Sequence, residues 1–338
     1  MEQNERRLLR LGIHVKYYNP LQSTINRIML MDGFVNAHAH LDRANTITPD
    51  SLKDSSLGLQ EKWTYVDKIK RTSSVWDYKE RITDALMMQK FYNTRYICSF
   101  IDIDPIADYT ALTGASFAKD EFDQQEIKLI IASQTLKGVL NKAPRILIED
   151  VLDTVDIIGS LPAADEGRES EHLDVVLNWA KQTGKRVHVH VDQNNRPTEK
   201  ETELLARKTI EHGLESRVTA VHGISIACHP KKYREELYKM CVDADLTFIC
   251  CPSAWIDHRR SEVLSPIHNS ITPVDELLER GLRVAIGSDN ICDIYKPFCN
   301  GDMINELRLL IDSCRIYNED ELINIAVTNG LEVLGMMD

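Results

Sequence analysis

The segment GFVNAHAHLD, residues 33–42, begins with an apolar run of the kind found in a buried strand. This run covers residues 33–40 and ends in two histidines, His38 and His40. Buried parallel strands form continuous apolar runs because helices cover both faces of the sheet. Further runs of this kind follow along the chain, at residues 95–103, 127–134, 154–159, 186–191, 218–222, 246–251 and 282–289.

Segments with the helical period of apolar residues lie between these runs, for example 171–182, 199–212 and 273–280. For the last of these, Thr272 is a candidate N-cap and Gly281 a candidate C-terminal glycine. Eight strands that alternate with helices predict an α/β fold, namely a closed (β/α)8 TIM barrel. An open doubly wound sheet is the alternative, but no GxGxxG motif follows the first run.

The composition excludes several classes of partner. The chain has 338 residues with 40 basic and 52 acidic side chains, which gives a formal net charge of −12. Nucleic acids and anionic membranes need a basic face, and no apolar stretch approaches the roughly 18 residues of a membrane helix. The N-terminus lacks a secretory signal, and the eight cysteines contain no CxxC pair. We therefore predict a cytoplasmic protein with neither nucleic-acid nor membrane partners, and homo-oligomerisation stays open.

Polar side chains that suit metal chemistry stand at one end of most of the predicted strands. Catalytic groups of a (β/α)8 barrel lie at the C-terminal ends of its strands. In chain order, the side chains at these ends are His38, His40, Gln134, His188, His190, His222 and Asp289.

His38 and His40 are two residues apart, so a strand points both imidazoles to the same face, where they can chelate one cation. His190, rather than the deeper His188, and Asp289 would complete a mixed site that suits one divalent Zn, Fe or Mn ion. Such an ion lowers the pKa of bound water from 15.7 towards about 7 and makes hydroxide available. Asp289 would take the proton of this water, and we expect His222 to bind the water or the developing oxyanion.

These segments resemble the amidohydrolase superfamily, and within it the cytosine-deaminase-like branch. The resemblance implies that His38, His40, His190 and Asp289 bind the metal, that His222 orients the hydrolytic water, and that Gln134 contacts a carbonyl or ring nitrogen of the substrate. It also implies one metal, because binuclear members use a carboxylated lysine from the fourth strand, where residues 154–159 have none. The matching segments are 33–42, 130–134 (IIASQ), 187–193 (VHVHVDQ), 220–223 (AVHG), 286–293 (IGSDNICD) and 328–335 (TNGLEVLG).

The chain departs from the family pattern in two places. The family's deaminases carry a proton-shuttling glutamate three residues after the fifth-strand histidine, where this chain has Gln193. A glutamine can bind substrate by hydrogen bonds, but it cannot titrate. Family members also usually carry a small β-sandwich formed from both termini, and we expect it to be absent or vestigial here.

We therefore expect an N-terminal extension over residues 1–32 and a metal-dependent (β/α)8 barrel hydrolase domain over 33–338. The favoured function is hydrolysis of a non-peptide C–N bond in a small polar or heterocyclic molecule, by an aminohydrolase with Asp289 as general base and then acid. The alternatives are a cyclic amidase that opens a ring, and a catalytically impaired member that acts as a binding protein. A metal-free sugar or phosphate barrel would need a phosphate-binding glycine loop, and residues 287–289 make a poor one.

The loops at residues 45–76 and 253–272 are expected to cover the strand ends. Trp255 is the strongest substrate-binding candidate among their side chains because it closely follows a strand, ahead of Asp257, His258 and Arg259.

Overall fold

The computed structural model describes residues 19–123, 125–255, 263 and 269–337. Within these residues the strands pair in parallel and in chain order. They are β1 Phe34–Ala39, β2 Thr94–Asp102, β3 Lys128–Gln134, β4 Ile158–Ser160, β5 Val187–Val191, β6 Val218–His222, β7 Thr247–Cys250 and β8 Arg283–Ile286.

Backbone hydrogen bonds at two seams close a three-stranded and a five-stranded sheet into one barrel. Between β3 and β4, Ser133 N donates to Ile157 O at 3.1 Å. Between β8 and β1, Asp289 N donates to His38 O at 3.0 Å, and His40 N donates to Asp289 O at 3.3 Å. The prediction of a closed α/β barrel is confirmed. The second seam also brings His38, His40 and Asp289 side by side through the backbone alone.

Helices cover the outside of the barrel and connect its strands. They are α1 Pro20–Leu30, α2 Leu59–Thr72, α3 Val75–Phe91, α4 Thr110–Phe122, α5 Lys142–Glu149, α6 Glu169–Thr183, α7 Glu201–His212, α8 Lys231–Asp243, α9 Pro252–Trp255, α10 Val274–Glu279, α11 Met303–Cys314, α12 Glu319–Ile323 and α13 Asn329–Val333. In the described part of the chain, none of the helices has both the length and the apolar character needed to cross a bilayer.

The described part of the predicted N-terminal extension packs on the barrel. Helix α1 contacts α12 through Arg27, whose NH2 group donates to Asp320 Oδ1 at 2.5 Å, and through Ser23, whose hydroxyl donates to Glu319 Oε2 at 3.1 Å. Residues 1–18 lie outside the described residues. The strands that the structure describes all belong to the barrel.

Strand β4 is shorter and begins later than the sequence predicts. The apolar run covers residues 154–159, whereas the strand is Ile158–Ser160. Asp156 accounts for the difference, because its carboxylate accepts hydrogen bonds from Ile131 N at 2.7 Å and from Lys119 Nζ at 2.6 Å. A side chain therefore takes the position at which a regular strand would offer a backbone carbonyl to β3.

Gly159 allows β4 to approach β3 closely, and its replacement by alanine is expected to be strongly destabilising. A Cβ at this position would lie 1.9 Å from the Ser133 carbonyl oxygen and 2.6 Å from the ring of buried Phe100. We expect Gly159→Ala to lower the free energy of unfolding by about 3 kcal/mol, the upper part of the usual range for an overpacked core. Urea denaturation of the two proteins measures this difference.

Gly184→Ala is the control. Gly184 has a left-handed φ of 76°, but the space around its Cβ position is open, so we expect a loss of only about 1 kcal/mol. A Gly159→Ala protein no less stable than Gly184→Ala would contradict the expected clash.

Candidate active site

The predicted ligands converge at the C-terminal mouth of the barrel, and all of them are buried. The structure brings together two groups of three side chains whose ligand atoms lie within 4.8 Å of one another. His38, His190 and His222 form one group, and His38, His40 and Asp289 form the other. Nε2 of His38 is 3.5 Å and Nε2 of His40 is 3.4 Å from Asp289 Oδ1. His222 therefore lies where it can serve either as a further ligand or as a partner of the water.

The backbone turns sharply where two of these side chains enter the mouth. His222 has φ of 80° and Asp289 has φ of 59°, in the left-handed region that L-residues other than glycine rarely adopt. Backbone strain of this kind costs roughly 1–3 kcal/mol and is concentrated at functional sites. The barrel thus holds His222 and Asp289 in costly conformations that aim both residues at the same cluster.

The electrostatics favour the protonation states that a divalent cation needs. Burial lowers the pKa of His38, His40 and His190, and at His40 the charge of Arg43 lowers it further. Burial alone would raise the pKa of Asp289, but the close contact with His38 and the charge of Lys296 hold it well below its ordinary value. Neutral imidazoles and an ionised carboxylate are the forms that bind metal.

His190 and His38 fit a metal ligand set well. His190 Nδ1 donates to the Ser160 carbonyl oxygen at 3.1 Å, which leaves the lone pair of the ring on Nε2. This Nε2 and both ring nitrogens of His38 are buried and form no hydrogen bond within the described structure. Buried polar atoms without a partner are costly in a folded protein. A cation bound at this cluster would satisfy the Nε2 atom of His190.

His40 fits in a different way. Its Nδ1 contacts the guanidinium of Arg43, which can only donate. Nδ1 is therefore the acceptor, and the neutral ring carries its hydrogen on Nε2, the atom closest to Asp289. A metal that binds Nε2 needs the lone pair of that atom, so the hydrogen of the neutral ring would have to move to Nδ1 and the contact with Arg43 would have to break.

A buried chain of hydrogen bonds, which the sequence analysis missed, supports His190 from behind. Ser160 Oγ and His172 Nε2 are 2.9 Å apart, and His172 Nδ1 donates to Asp165 Oδ2 at 2.7 Å. Asp165 in turn accepts from Val139 N at 2.7 Å. This chain ties the end of β4, whose carbonyl orients His190, to the loop after β3. No sequence pattern marks it, because its members meet only through tertiary packing.

A cavity opens above the candidate metal ligands. The space between its lining atoms is about 640 Å³, and this figure includes space that is open to solvent. The predicted substrate contacts Gln134 and Gln193 both line this cavity, and Oε1 of Gln134 is buried without a hydrogen-bond partner in the described structure. Both glutamines are therefore placed to contact a small molecule.

Trp255 lies behind the cavity wall and does not line the cavity, unlike its neighbour Ala254. Its side chain is 1% exposed, and its Nε1 donates to Thr272 Oγ1 at 2.9 Å. Thr272 Oγ1 in turn donates to the His222 carbonyl oxygen at 2.6 Å, so the two residues support the end of β6. The expectation that Thr272 caps the next helix was wrong, because α10 begins without a side-chain cap. Asp257, His258 and Arg259 lie outside the described residues.

Two cations and one tryptophan at the cavity were not predicted from the sequence. Arg43 and Lys296 line it, and Trp63 of helix α2 covers one side of the mouth. Burial opposes the positive charges, but nearby carboxylates, Asp102 at Arg43 and Glu306 at Lys296, raise both pKa values above the ordinary range. Both side chains are therefore charged at neutral pH. Arg43 follows His40 by three residues in a short 3₁₀ turn, a spacing that could have identified it.

The loop that carries Gln193 is fixed by reciprocal bonds between Asp192 and helix α7. Glu201 N donates to Asp192 Oδ1 at 2.8 Å, and Asp192 N donates to Glu201 Oε2 at 2.9 Å. Asp192 is buried and Glu201 is partly buried, and burial raises the pKa of each carboxyl group.

This carboxyl pair predicts a pH-dependent stability. Burial and the charge of Asp192 raise the pKa of Glu201 to about 8 from an ordinary value of 4.5. Between these two values the folded protein holds a proton that the unfolded chain releases, so the free energy of unfolding should fall as the pH rises through this window. Glu201→Gln keeps an acceptor for Asp192 N and should flatten that dependence, as measured by urea denaturation at about pH 5 and about pH 8. The exposed variant Glu211→Gln is the control, and an equal slope in Glu201→Gln and the parent protein would contradict the assignment.

The comparisons with known proteins agree with this geometry. A family model described as "Amidohydrolase family" matches residues 94–325, which is more than half of the chain. The chain belongs to the amidohydrolase family. A protein of Haemophilus influenzae without a stated function is 46% identical over 257 residues, which cover 75% of this chain and 93% of that protein.

Two further similar proteins have stated activities. This amidohydrolase is 27% identical over 281 residues to the N-isopropylammelide isopropyl amidohydrolase of Pseudomonas sp. strain ADP, covering 82% of this chain and 66% of that enzyme. The crystal structure of 5-methylcytosine deaminase from Klebsiella pneumoniae, liganded with 5-fluorocytosine, superposes with a TM-score of 0.83 at 23% identity, over 90% of this chain and 75% of that one. The predicted membership of the amidohydrolase superfamily is confirmed, and the protein is a hydrolase of carbon–nitrogen bonds.

Proposed function

We propose that this amidohydrolase is a metal-dependent aminohydrolase that releases ammonia or an amine from a small, polar nitrogen heterocycle. The observation that carries the proposal is the convergence of three buried imidazoles and Asp289 beneath a cavity that is lined by polar side chains and open to solvent. The names of two similar proteins, a 5-methylcytosine deaminase and an N-isopropylammelide isopropyl amidohydrolase, support a heterocyclic substrate.

In this proposal His38, His40, His190 and Asp289 hold one divalent ion of zinc, iron or manganese, which suits mixed nitrogen and oxygen ligands. When bound, such an ion supplies Lewis acidity and lowers the pKa of water. The same side chains position the reacting water beneath the cavity, and the buried wall limits the access of bulk solvent.

The other side chains of the cavity then have distinct roles. Asp289 is ionised, so it accepts a proton from the attacking water and returns it to the leaving nitrogen. His222 donates a hydrogen bond to the oxygen on which negative charge develops. Gln134 and Gln193 each offer both a donor and an acceptor, and they orient the heterocycle by its polar edge.

Ring opening of a cyclic amide is the second candidate, and Gln193 favours it. In the described lining of the cavity Asp289 is the single carboxylate, so one group must serve as both base and acid. A deaminase with a second, titratable side chain would divide these tasks. Gln193 cannot share them.

The test uses purified protein with its metal as isolated. Elemental analysis gives the metal content per chain, and a panel of amino-substituted pyrimidines and triazines together with cyclic amides gives the products. We expect about one metal ion per chain, as one mononuclear site requires, and release of ammonia or amine. A ring-opened acid would favour the second candidate. Absence of both metal and product would overturn the proposal in favour of a binding protein.

Gln193→Glu is expected to raise the rate of ammonia release by about 100-fold, the lower end of the usual contribution of a positioned proton donor and acceptor. The glutamate would stand in the cavity wall beside the substrate, where it could titrate. Steady-state rates on the best substrate of the panel measure the effect, with Gln193→Ala as a matched variant that removes the hydrogen bonds without adding a titratable group. No gain over the parent protein would show that position 193 does not limit proton transfer.

A further inference from the structure

Two buried cationic side chains lie at the same cavity as the candidate metal ligands. Arg43 is 4% exposed and Lys296 is 5% exposed, and both line the cavity that Gln134 and Gln193 line. Among the described lining residues, Asp289 carries the negative charge, and the proposed divalent metal would more than neutralise it. The cavity is thus locally positive, although the chain as a whole has a net charge of −12.

Lys296 forms no close ion pair with the described residues. Its Nζ donates to the Ser288 carbonyl oxygen at 2.7 Å, and an ammonium group has two further donors. Within the described residues no carboxylate oxygen lies within 4.0 Å of this nitrogen. Glu306, the carboxylate with the largest influence on Lys296, accepts from Ser253 N at 2.8 Å and from Ser253 Oγ at 2.6 Å. Lys296 therefore keeps capacity to bind an anion.

Arg43 is more fully paired, but one of its hydrogen-bond donors has no acceptor in the described structure. Its NH1 group donates to Asp102 Oδ2 at 3.1 Å, an atom that Lys70 also contacts at 2.9 Å. Its Nε is buried, lies 4.0 Å from Asp42 Oδ1 and forms no hydrogen bond in the described structure. Arg43 is thus a second, weaker source of positive charge at the same wall.

We propose that this cavity selects anionic substrates, with Lys296 as the main and Arg43 as the second side chain that binds the negative group. The substrate class is a small nitrogen heterocycle that bears a carboxylate or has a ring acidic enough to be deprotonated at neutral pH. An uncharged ring of the same size would leave the buried ammonium with no carboxylate at ion-pair distance, whereas an anion gains the strong attraction available in a poorly solvated site. The inference rests on the proposed function, since it names the substrate class of the same site.

The test measures binding rather than turnover. Matched pairs of pyrimidine, imidazole and triazine rings, each with and without a carboxylate (uracil and orotate, for example), are titrated into the metal-loaded protein by calorimetry. We expect the carboxylate member of at least one pair to bind about tenfold more tightly or better, as desolvated charge pairs do. Lys296→Met should abolish most of that preference, Arg43→Gln should reduce it, and Lys296→Arg should retain it.

The controls separate the side chains from the metal, since a carboxylate can also bind a cation directly. Lys128→Met removes an exposed lysine remote from the cavity and should change nothing. A preference that persists in full in Lys296→Met and Arg43→Gln would assign anion binding to the metal and overturn the proposal. Equal binding of both members of every pair, or no binding of any pair, would also overturn it. If Lys296→Met does not fold, as judged by circular dichroism, Lys296→Gln and Arg43→Gln carry the test.

This outcome and that of the proposed function can be told apart. Preferential binding of anions without release of ammonia or amine would support the anion site and contradict the proposed aminohydrolase activity. Ammonia release confined to uncharged heterocycles would support the aminohydrolase activity and contradict the anion site.

Discussion

Replacement of His190 by alanine is expected to strip the protein of tightly bound metal and, with it, of hydrolytic activity. His190 is the imidazole best prepared for ligation, because Ser160 fixes its Nδ1 and leaves its buried Nε2 without a hydrogen bond in the described structure. Loss of a residue that merely orients a ligand typically costs about 10–100-fold in metal affinity, so loss of the ligand itself should exceed that. Competition with a chromophoric chelator measures the affinity, and elemental analysis measures the content after dialysis.

His188→Ala is the matched control, since it removes an imidazole from the same strand. His188 lies one step deeper, where Nε2 is 3.0 Å from the Val333 carbonyl oxygen, and it belongs to neither ligand group. This variant should lose stability but keep its metal. Full metal content in His190→Ala would remove His190 from the ligand set, and metal loss in both variants would point to a general disturbance of the barrel.

The apolar runs were sufficient to predict the barrel because its strands are buried on both faces. Seven of the eight runs coincide closely with strands of the structure, and the strand ends mark the mouth. The exception is β4, where Asp156 interrupts an apolar run with a carboxylate that pairs with the backbone of β3. Whether a polar side chain in such a run faces solvent or bonds to a neighbouring strand depends on tertiary contacts, which local periodicity does not encode.

The metal cluster was predictable to the extent that it follows from strand geometry. His38 and His40 share a face because they are two residues apart, and the seam between β8 and β1 brings Asp289 beside them. Residues that support these ligands through hydrogen bonds from other parts of the sequence were not predictable in this way. Ser160, His172 and Asp165 form their chain through a helix, a strand end and a loop, and none of them has a distinctive local pattern.

Trp255 was predicted as a substrate contact because it closely follows a strand, but its side chain does not line the cavity. It follows β7 closely, but the short helix α9 turns the indole inward, and Thr272 occupies its only donor. The cavity wall at this point is formed by Ala254. In a short helix adjacent residues point in directions about 100° apart, so an error of one position exchanges a wall residue for a core residue.

Asp289→Asn is expected to lower the rate of hydrolysis by about 10²–10⁴-fold, the usual contribution of a positioned general base and acid. Asparagine keeps the size of the side chain and one oxygen that can bind a cation, but it cannot accept the proton of the attacking water. The pKa of Asp289 is held well below its ordinary value, so the parent carboxylate is ionised throughout the neutral range. The measurement is kcat on the best substrate, together with the metal content of each preparation.

Two roles of Asp289, as ligand and as base, predict different responses to added metal. If the variant is slow only because it binds metal poorly, saturation with zinc, iron or manganese should restore kcat. If proton transfer is the missing step, the rate stays low at saturation, which is the result we expect. Asp153→Asn is the control, since it changes an exposed carboxylate that does not line the cavity and should leave kcat unchanged. If metal alone restored the Asp289→Asn enzyme, Asp289 would act as a ligand and not as the base. Since the described cavity wall holds no second carboxylate, the proton would then pass to a different kind of group, such as His222 or the substrate itself.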